Sequence, residues 1–263
     1  LVRKIYYILL SVMLLCVGCE WHLKQQSEYY TYALTVDRYD LLEARYLSSC
    51  DYSALQEMNI DYPVQTNILI EDLLAIGKAS DPDVNTRLLH FFQDTTLKAI
   101  IEEVGRQYAN MDDINKELSE AFMRLKALLP SLKIPVVYSQ IGALNQSIIV
   151  SDGMIGICLD KYLGTDFPIY SDFYSETQIR TMRRSMIVPD CMAFYLLSCF
   201  PNPAEDTLQS SMNLHRAKIH WTVNKIVRKK VFSNDGVAAV DKFMKENKNI
   251  SLDELLTDAE IAK

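Results

Sequence analysis

Hydrophobic and polar positions change period twice along this chain. From about Val64 to Pro130 the apolar residues recur at helical spacing: Ile68, Leu69, Leu73 and Leu74, then Leu88, Leu89, Phe91 and Phe92, then Leu97, Ile100, Ile101 and Val104. The last such stripe is Ile114, Leu118, Ala121, Phe122, Leu125, Leu128 and Leu129. Asp81-Pro82-Asp83 opens one helix, with proline and acids where a helix N-terminus accepts them. Thr95 or Thr96 caps the next, Asp112 and Asp113 cap the one after, and Pro130 ends it. Ile134 to Ile141 is instead rich in β-branched and aromatic residues. Turns at Asn145-Gln146-Ser147 and Asp152-Gly153 separate it from two further runs, Ile148 to Val150 and Met154 to Leu159. This spacing predicts a small antiparallel meander. After a loop from Gly164 to Tyr174, helices are expected over about 175–199 with a break at Pro189, then 204–232, 235–247 and 251–262. Upstream, Thr31 to Asp40 alternates and predicts a strand running into a helix through Arg45 and Tyr46, while 52–64 reads as a loop around Asn59, Asp61 and Pro63. The class is α+β: mostly helical, with one small antiparallel sheet.

The first nineteen residues follow a different logic. Arg3 and Lys4 precede an apolar run from Ile5 to Val17, which closes on Gly18-Cys19. A basic start, a short apolar core and a small residue at the cut make a secretory signal. The run is shorter than the roughly 20 apolar residues that span a bilayer. Gly before Cys is the end of a bacterial lipoprotein signal, with cleavage after Gly18 and acylation of the Cys19 sulfur. Cys16 stands at the third position before the cut, where a Leu is usual. The expected organisation is a signal over 1–18, a polar tether over 19–30, and a single domain over 31–263.

Composition then limits the partners. The chain carries 27 basic and 34 acidic residues, a net charge of −7. Removing Arg3 and Lys4 leaves 25 against 34, or −9. An acidic surface argues against nucleic acid and against broad adhesion to anionic lipid. Membrane attachment is therefore assigned to acyl chains on Cys19, two or more of which anchor stably. Cys50, Cys158, Cys191 and Cys199 remain; four thiols allow three pairings and the sequence selects none, buried free thiols being the simpler reading.

Motifs for common chemistries are missing. There is no GxGxxG, no GxxxxGK[ST] and no GxSxG, and only 8 glycines in all. The histidines are His22, His90, His215 and His220; no two are four apart, so no HExxH pair presents two imidazoles on one helix face. His215 and His220 are five apart and face different ways on a helix. No metal or other cofactor is expected. Asp152, Asp160, Asp166, Asp172 and Asp190 could serve as acid–base pairs or hold calcium, but turn and cap roles account for Asp152 and Asp190 more simply. Arg180, Arg183 and Arg184 form a basic stripe, and Arg228, Lys229 and Lys230 fall late in a helix, where its dipole favours cations. Leu159 and Leu163 share a face if their segment turns helical, with Asp160 capping the turn and Gly164 supplying a left-handed stop.

One block is specific. Leu159-Asp160-Lys161-Tyr162-Leu163-Gly164-Thr165-Asp166-Phe167-Pro168-Ile169-Tyr170, following Pro135-Val136-Val137-Tyr138 and Asn145, resembles the gliding-motility lipoprotein GldB family, whose signature runs P-x-V-Y, then L-D-x-[YF]-L-G-x-D-[YF]-P-x-Y. Val36-Asp37-Arg38-Tyr39-Asp40, Phe92-Gln93-Asp94 and Ile187-Val188-Pro189-Asp190 resemble further family segments. Ala217-Lys218-Ile219-His220-Trp221 stands where members carry G-K-x-x-Y, with Ala217 and Trp221 departing from it. The resemblance implies a zinc-peptidase-like scaffold in which Pro189 to Tyr195, with no histidine, replaces the metal helix. It also implies an envelope protein associated with gliding or secretion, held in the inner or outer membrane by Cys19 and facing periplasm or surface. Other envelope proteins are its expected partners, and Asn145, Asp160, Tyr162, Leu163, Gly164, Asp166, Pro168, Tyr170, Pro189, Asp190 and Lys218 its structural or partner-binding residues. A non-catalytic binding component is the expected role. The alternative is a metal-independent hydrolase using Asp160 and Asp190.

Overall fold

The expected helical stripes all fold as helices. The structure, a computed structural model, describes residues 33–203 and 209–262. Its first helices are α1 (Tyr39–Ser49), α2 (Tyr52–Asp61) and α3 (Pro63–Asn67), the last running into a π-helical stretch, Ile68–Leu73. Then come α4 (Val84–Phe91), α5 (Thr95–Gln107) and α6 (Asp112–Leu128). Three strands follow, β1 (Val136–Gln140), β2 (Ile148–Ser151) and β3 (Met154–Cys158). The chain then forms α7 (Tyr170–Phe173), α8 (Glu176–Ile179), α9 (Ile187–Cys199), α10 (Gln209–Val227), α11 (Asp235–Glu246) and α12 (Leu252–Thr257).

Several boundaries depart from the expected ones. Residues 52–61 are a helix, because Asp51 accepts the amides of Ser53 (2.9 Å) and Ala54 (3.4 Å) and the Ala54, Leu55 and Met58 face is buried. Pro63 starts the next helix instead of sitting in a loop. Asp94, not Thr95 or Thr96, caps α5, accepting from the amides of Thr96 and Leu97. Pro189 does not break α9, since it lies in the first turn, where its missing N–H costs no bond. Among the described residues, the alternating segment before α1 makes one parallel bridge, Asp37 to Tyr138, and no strand. Its amides at Leu34 and Val36 are taken by Ser119 Oγ and Asn115 Oδ1 of α6, both at 2.9 Å, so no ladder extends.

The sheet is mixed, not an antiparallel meander. Its order is β1-β3-β2, with β1 parallel to β3 and β2 antiparallel to it. Asp152 and Gly153, at φ +49° and +76°, make the expected tight turn between β2 and β3. β3 takes the centre because Ile155 to Cys158 are all buried, whereas β2 keeps only Ile148 fully covered. On one face Tyr138 lies opposite Gly156 and Gln140 opposite Cys158. α9 is apolar on nearly every side and lies against β2, β3, α6 and α10 as the central helix. A second, smaller core of Ala217, Trp221, Val237, Val240 and Leu255 joins α10, α11 and α12. Among the described residues no helix is long and apolar enough to cross a membrane.

Gly156 is required by close approach: a Cβ there would lie 2.6 Å from the Tyr138 hydroxyl and 2.7 Å from its Cζ. Gly156→Ala should therefore destabilise the fold by about 1–3 kcal/mol. A melting temperature equal to that of the parent in thermal denaturation would contradict this packing.

Candidate functional site

The site begins where β1 ends. Ala143 and Leu144 both adopt left-handed backbone, at φ +49° and +65°, which non-glycine residues rarely do. Buried carboxylates hold the amides of this bend. Glu43 of α1 accepts from Ile141 N at 2.7 Å. Asp160 accepts from Gly142 N at 2.7 Å and from Leu144 N at 2.6 Å, one with each oxygen. Asp160 and Glu43 are both fully buried. Burial drives each carboxyl above the usual range, and the amide bonds oppose that rise. Asp160 thus braces a loop sixteen to eighteen residues away, instead of capping its own turn. That turn is a short 3-10 segment, Leu159–Lys161, with Leu159 and Leu163 buried as their spacing implies.

Tyrosines tie the following corner. Tyr170 donates to the Asp160 carbonyl at 2.5 Å and accepts from Leu163 N at 2.8 Å. Tyr108, the residue that follows α5, donates to the Tyr162 carbonyl at 2.6 Å, and Gln107 to the Leu163 carbonyl at 2.7 Å. Gly164 takes a positive φ of +107° but does not stop the helical turn, which already ends at Lys161; its amide reaches the Met182 carbonyl at 3.0 Å. Arg184 supports this corner from outside. It pairs with Asp113 through two bonds of 2.9 and 2.6 Å and lies over the Tyr108 ring. Of the expected basic stripe, Arg184 is therefore a buttress.

The corner opens on a cleft of about 190 Å³ lined by Ser147, Lys161, Tyr162, Tyr174, Gln178 and Asp190, among others. The Tyr162 hydroxyl donates to Asp190 Oδ2 at 2.9 Å. Burial pushes the Asp190 carboxyl up to about 7, against the pull of that bond. Lys161 donates to the Tyr174 hydroxyl at 2.7 Å and to the Leu144 carbonyl at 3.4 Å. Burial lowers its pKa, while Asp160 works the other way. Tyr174 in turn donates to the Leu144 carbonyl. Asp190 is not the expected simple cap: its carboxylate faces Tyr162 across the cleft.

Asp160, Tyr162, Leu163, Gly164 and Tyr170 converge here, with Asp190 opposite and Pro189 buried beside it in the first turn of α9. Asn145 lies on the same loop as Leu144 and donates to the Leu73 carbonyl at 2.6 Å. Asp166 and Pro168 are exposed on the outer turn. Lys218 is separate, buried on α10 and donating to the Asp258 carbonyl at 2.8 Å. Gly18 and Cys19 lie outside the described residues. His215 Nε2 lies 2.8 Å from the Phe200 carbonyl, and His220 stacks on Phe232, its pKa pushed down to about 4 by burial. Among the described residues no three His, Cys, Asp or Glu side chains gather around a point that a metal could occupy. Cys50, Cys158, Cys191 and Cys199 are all unpaired; Cys158 and Cys191 are buried as expected, and Cys50 is exposed. Glu43, Tyr108, Lys161 and Tyr174 are site residues that sequence reasoning did not single out. Only Glu43 carried a local signal, an acid on the α1 face that buries Tyr39 and Tyr46.

Two measurements check this geometry. Asp160→Asn keeps one acceptor oxygen and leaves a buried backbone amide without a partner, at a cost of about 2–3 kcal/mol in urea denaturation. Folded Asp190 holds its proton up to about pH 7, whereas its ordinary pKa is 3.8. The folded state therefore binds the additional proton between those values, and this group's contribution to stability is lost as pH rises through that window. Asp190→Asn should flatten the stability profile between about pH 4 and 7 by on the order of 3 kcal/mol relative to the parent. Parallel profiles for the two proteins would refute the assignment.

Residues 20–233 match the family model described as "Gliding motility protein GldB". No curated protein and no solved structure matches the chain. The match spans the bend, the tyrosine corner and the cleft, and on that extent the chain belongs to the gliding motility protein GldB family.

Proposed function

We propose that this chain is a lipid-anchored component of the cell envelope, of the gliding-motility or secretion-accessory type, and that it works by binding other envelope proteins and not by catalysis. In this reading the body from residue 31 is tethered through 19–30 to acyl chains on Cys19. One observation carries it. Within the family block, Asp160 and Tyr170 direct their polar atoms inward, onto the backbone: Asp160 onto Gly142 and Leu144, Tyr170 onto Asp160 and Leu163. Groups committed to backbone amides and carbonyls hold a shape; they are not free to act on a substrate. The zinc-peptidase-like scaffold implied by the resemblance belongs to the same reading. The segment that stands for its metal helix, Pro189 to Tyr195, supplies a tyrosine-bonded Asp190 and a fully buried Cys191, and no imidazole. That donor set does not fit zinc.

A second reading has its own support. A carboxyl poised near pH 7, bonded to Tyr162 in a cleft with Ser147 and Lys161, has the properties of a general base. It favours a metal-independent hydrolase at Asp190, and not at Asp160, which is sealed from solvent.

Crosslinking in intact cells, followed by identification of the attached proteins, separates the two readings. A binding component yields a reproducible set of envelope partners, and Thr181→Arg, which fills the cleft from its exposed rim, removes some of them. Peptide or ester cleavage by the purified full chain that disappears in Asp190→Asn would establish the hydrolase instead. Release of the protein by a salt wash, with Cys19 found unmodified by mass spectrometry, would remove the lipid anchor from the proposal.

A further inference from the structure

A cavity of about 380 Å³ lies far along the chain from the family block, between the end of α10 and the start of α11. Its wall carries Lys225, Arg228, Lys229 and Lys230 against a single carboxylate, Asp241. On a chain of net charge −7 this is a local reversal of sign. The helix stops at Val227, so Arg228 to Lys230 do not form the last turn that the sequence suggested; they belong to the loop that follows. Arg228 takes left-handed backbone at φ +55°.

That loop is built, not loose. Asn224 Oδ1 accepts from the amides of Val231 (2.9 Å) and Phe232 (3.0 Å), and its Nδ2 donates to the Phe232 carbonyl at 2.8 Å. The four cations are not equivalent. Lys225 lies over the Trp221 ring and 3.5 Å from Asp241, and Lys229 pairs with Glu117 at 3.0 Å. Asp241 is already engaged by Lys245 at 2.6 Å and by the Trp221 indole N–H at 2.9 Å. Arg228 and Lys230 are exposed and have no carboxylate partner among the described residues. Asn234 caps α11 with its own side chain, so the cations, and not the helix end, give the cavity its charge.

Two unpartnered cations on a pinned loop, beside a cavity of ligand size, suit a multiply charged oxyanion that takes the forked guanidinium and the ammonium together. We infer that this cavity binds a phosphate-bearing ligand through Arg228 and Lys230. Arg228 and Lys230 lie inside the residues that match the family, and the wall from Asn234 to Asp241 lies beyond them; the inference uses only this cavity and its charges, and no residue of the cleft invoked above.

Trp221 lines the cavity, and the only other tryptophan is Trp21. In the full chain carrying Trp21→Phe, fluorescence therefore reports on this site. Titration with inorganic pyrophosphate at fixed ionic strength, repeated by calorimetry, should give saturable binding. Arg228→Gln with Lys230→Gln should weaken it at least about tenfold without changing the melting temperature. Lys248→Gln, remote on the chain, should leave it unchanged. Vesicles of phosphatidylglycerol in phosphatidylcholine that compete with pyrophosphate would identify a lipid headgroup as the source. Pyrophosphate binding with no competition from the vesicles would identify a soluble phosphoester, and either result supports the site. No saturable binding to either probe, or the same affinity in the double variant, would overturn it.

Discussion

The geometry of this protein depends on one contact: the Asp160 carboxylate seated on the amides of Gly142 and Leu144. Those amides belong to a bend in which Ala143 and Leu144 adopt left-handed backbone, a conformation that costs of order 1 kcal/mol or more per non-glycine residue. Two hydrogen bonds to a fully buried side chain offset that strain. Glu43 continues the same pattern at Ile141. The bend carries the chain away from the end of β1, and β2 lies on the far side of β3. The mixed strand order and the position of Ser147 at the cleft both follow from it.

Tyrosine is the second recurrent device. The chain has 15, and those at the site combine a large apolar ring with one polar atom at its tip. Tyr108 and Tyr170 bury their rings and direct their hydroxyls to carbonyls of the 160–163 segment. Tyr162 uses its hydroxyl on Asp190, so α9 and the corner share one hydrogen bond across the cleft. A family block rich in polar letters is, in three dimensions, a set of internal braces around a small opening.

Helical regions were largely legible, because the 3.6-residue period reports burial of one face regardless of what covers it. α5 and α6 show this best, their buried residues being those of the apolar stripes. α2 escaped because Asn59, Asp61 and Pro63 outweighed the Asp51 cap and the Ala54, Leu55 and Met58 spacing. Strands were legible as strands but not as neighbours, since alternation specifies a face and not a partner. The parallel pairing of β1 with β3 therefore could not be read.

The sequence by itself determined the helical periodicity, the Asp152-Gly153 turn, the positive φ at Gly164 and the absence of paired imidazoles, all of which are properties of residues close together in the chain. Tertiary structure alone decided that Asp160 is buried and bound to a distant bend, that Asp190 meets Tyr162, and that Arg228 and Lys230 stand unpaired beside a cavity. The physical reason is common to all three. A side chain's charge state and availability depend on which groups remove it from water and bond to it: distant segments supply those groups to Asp160 and Asp190, and supply none, among the described residues, to Arg228 and Lys230, and only the packed fold decides which.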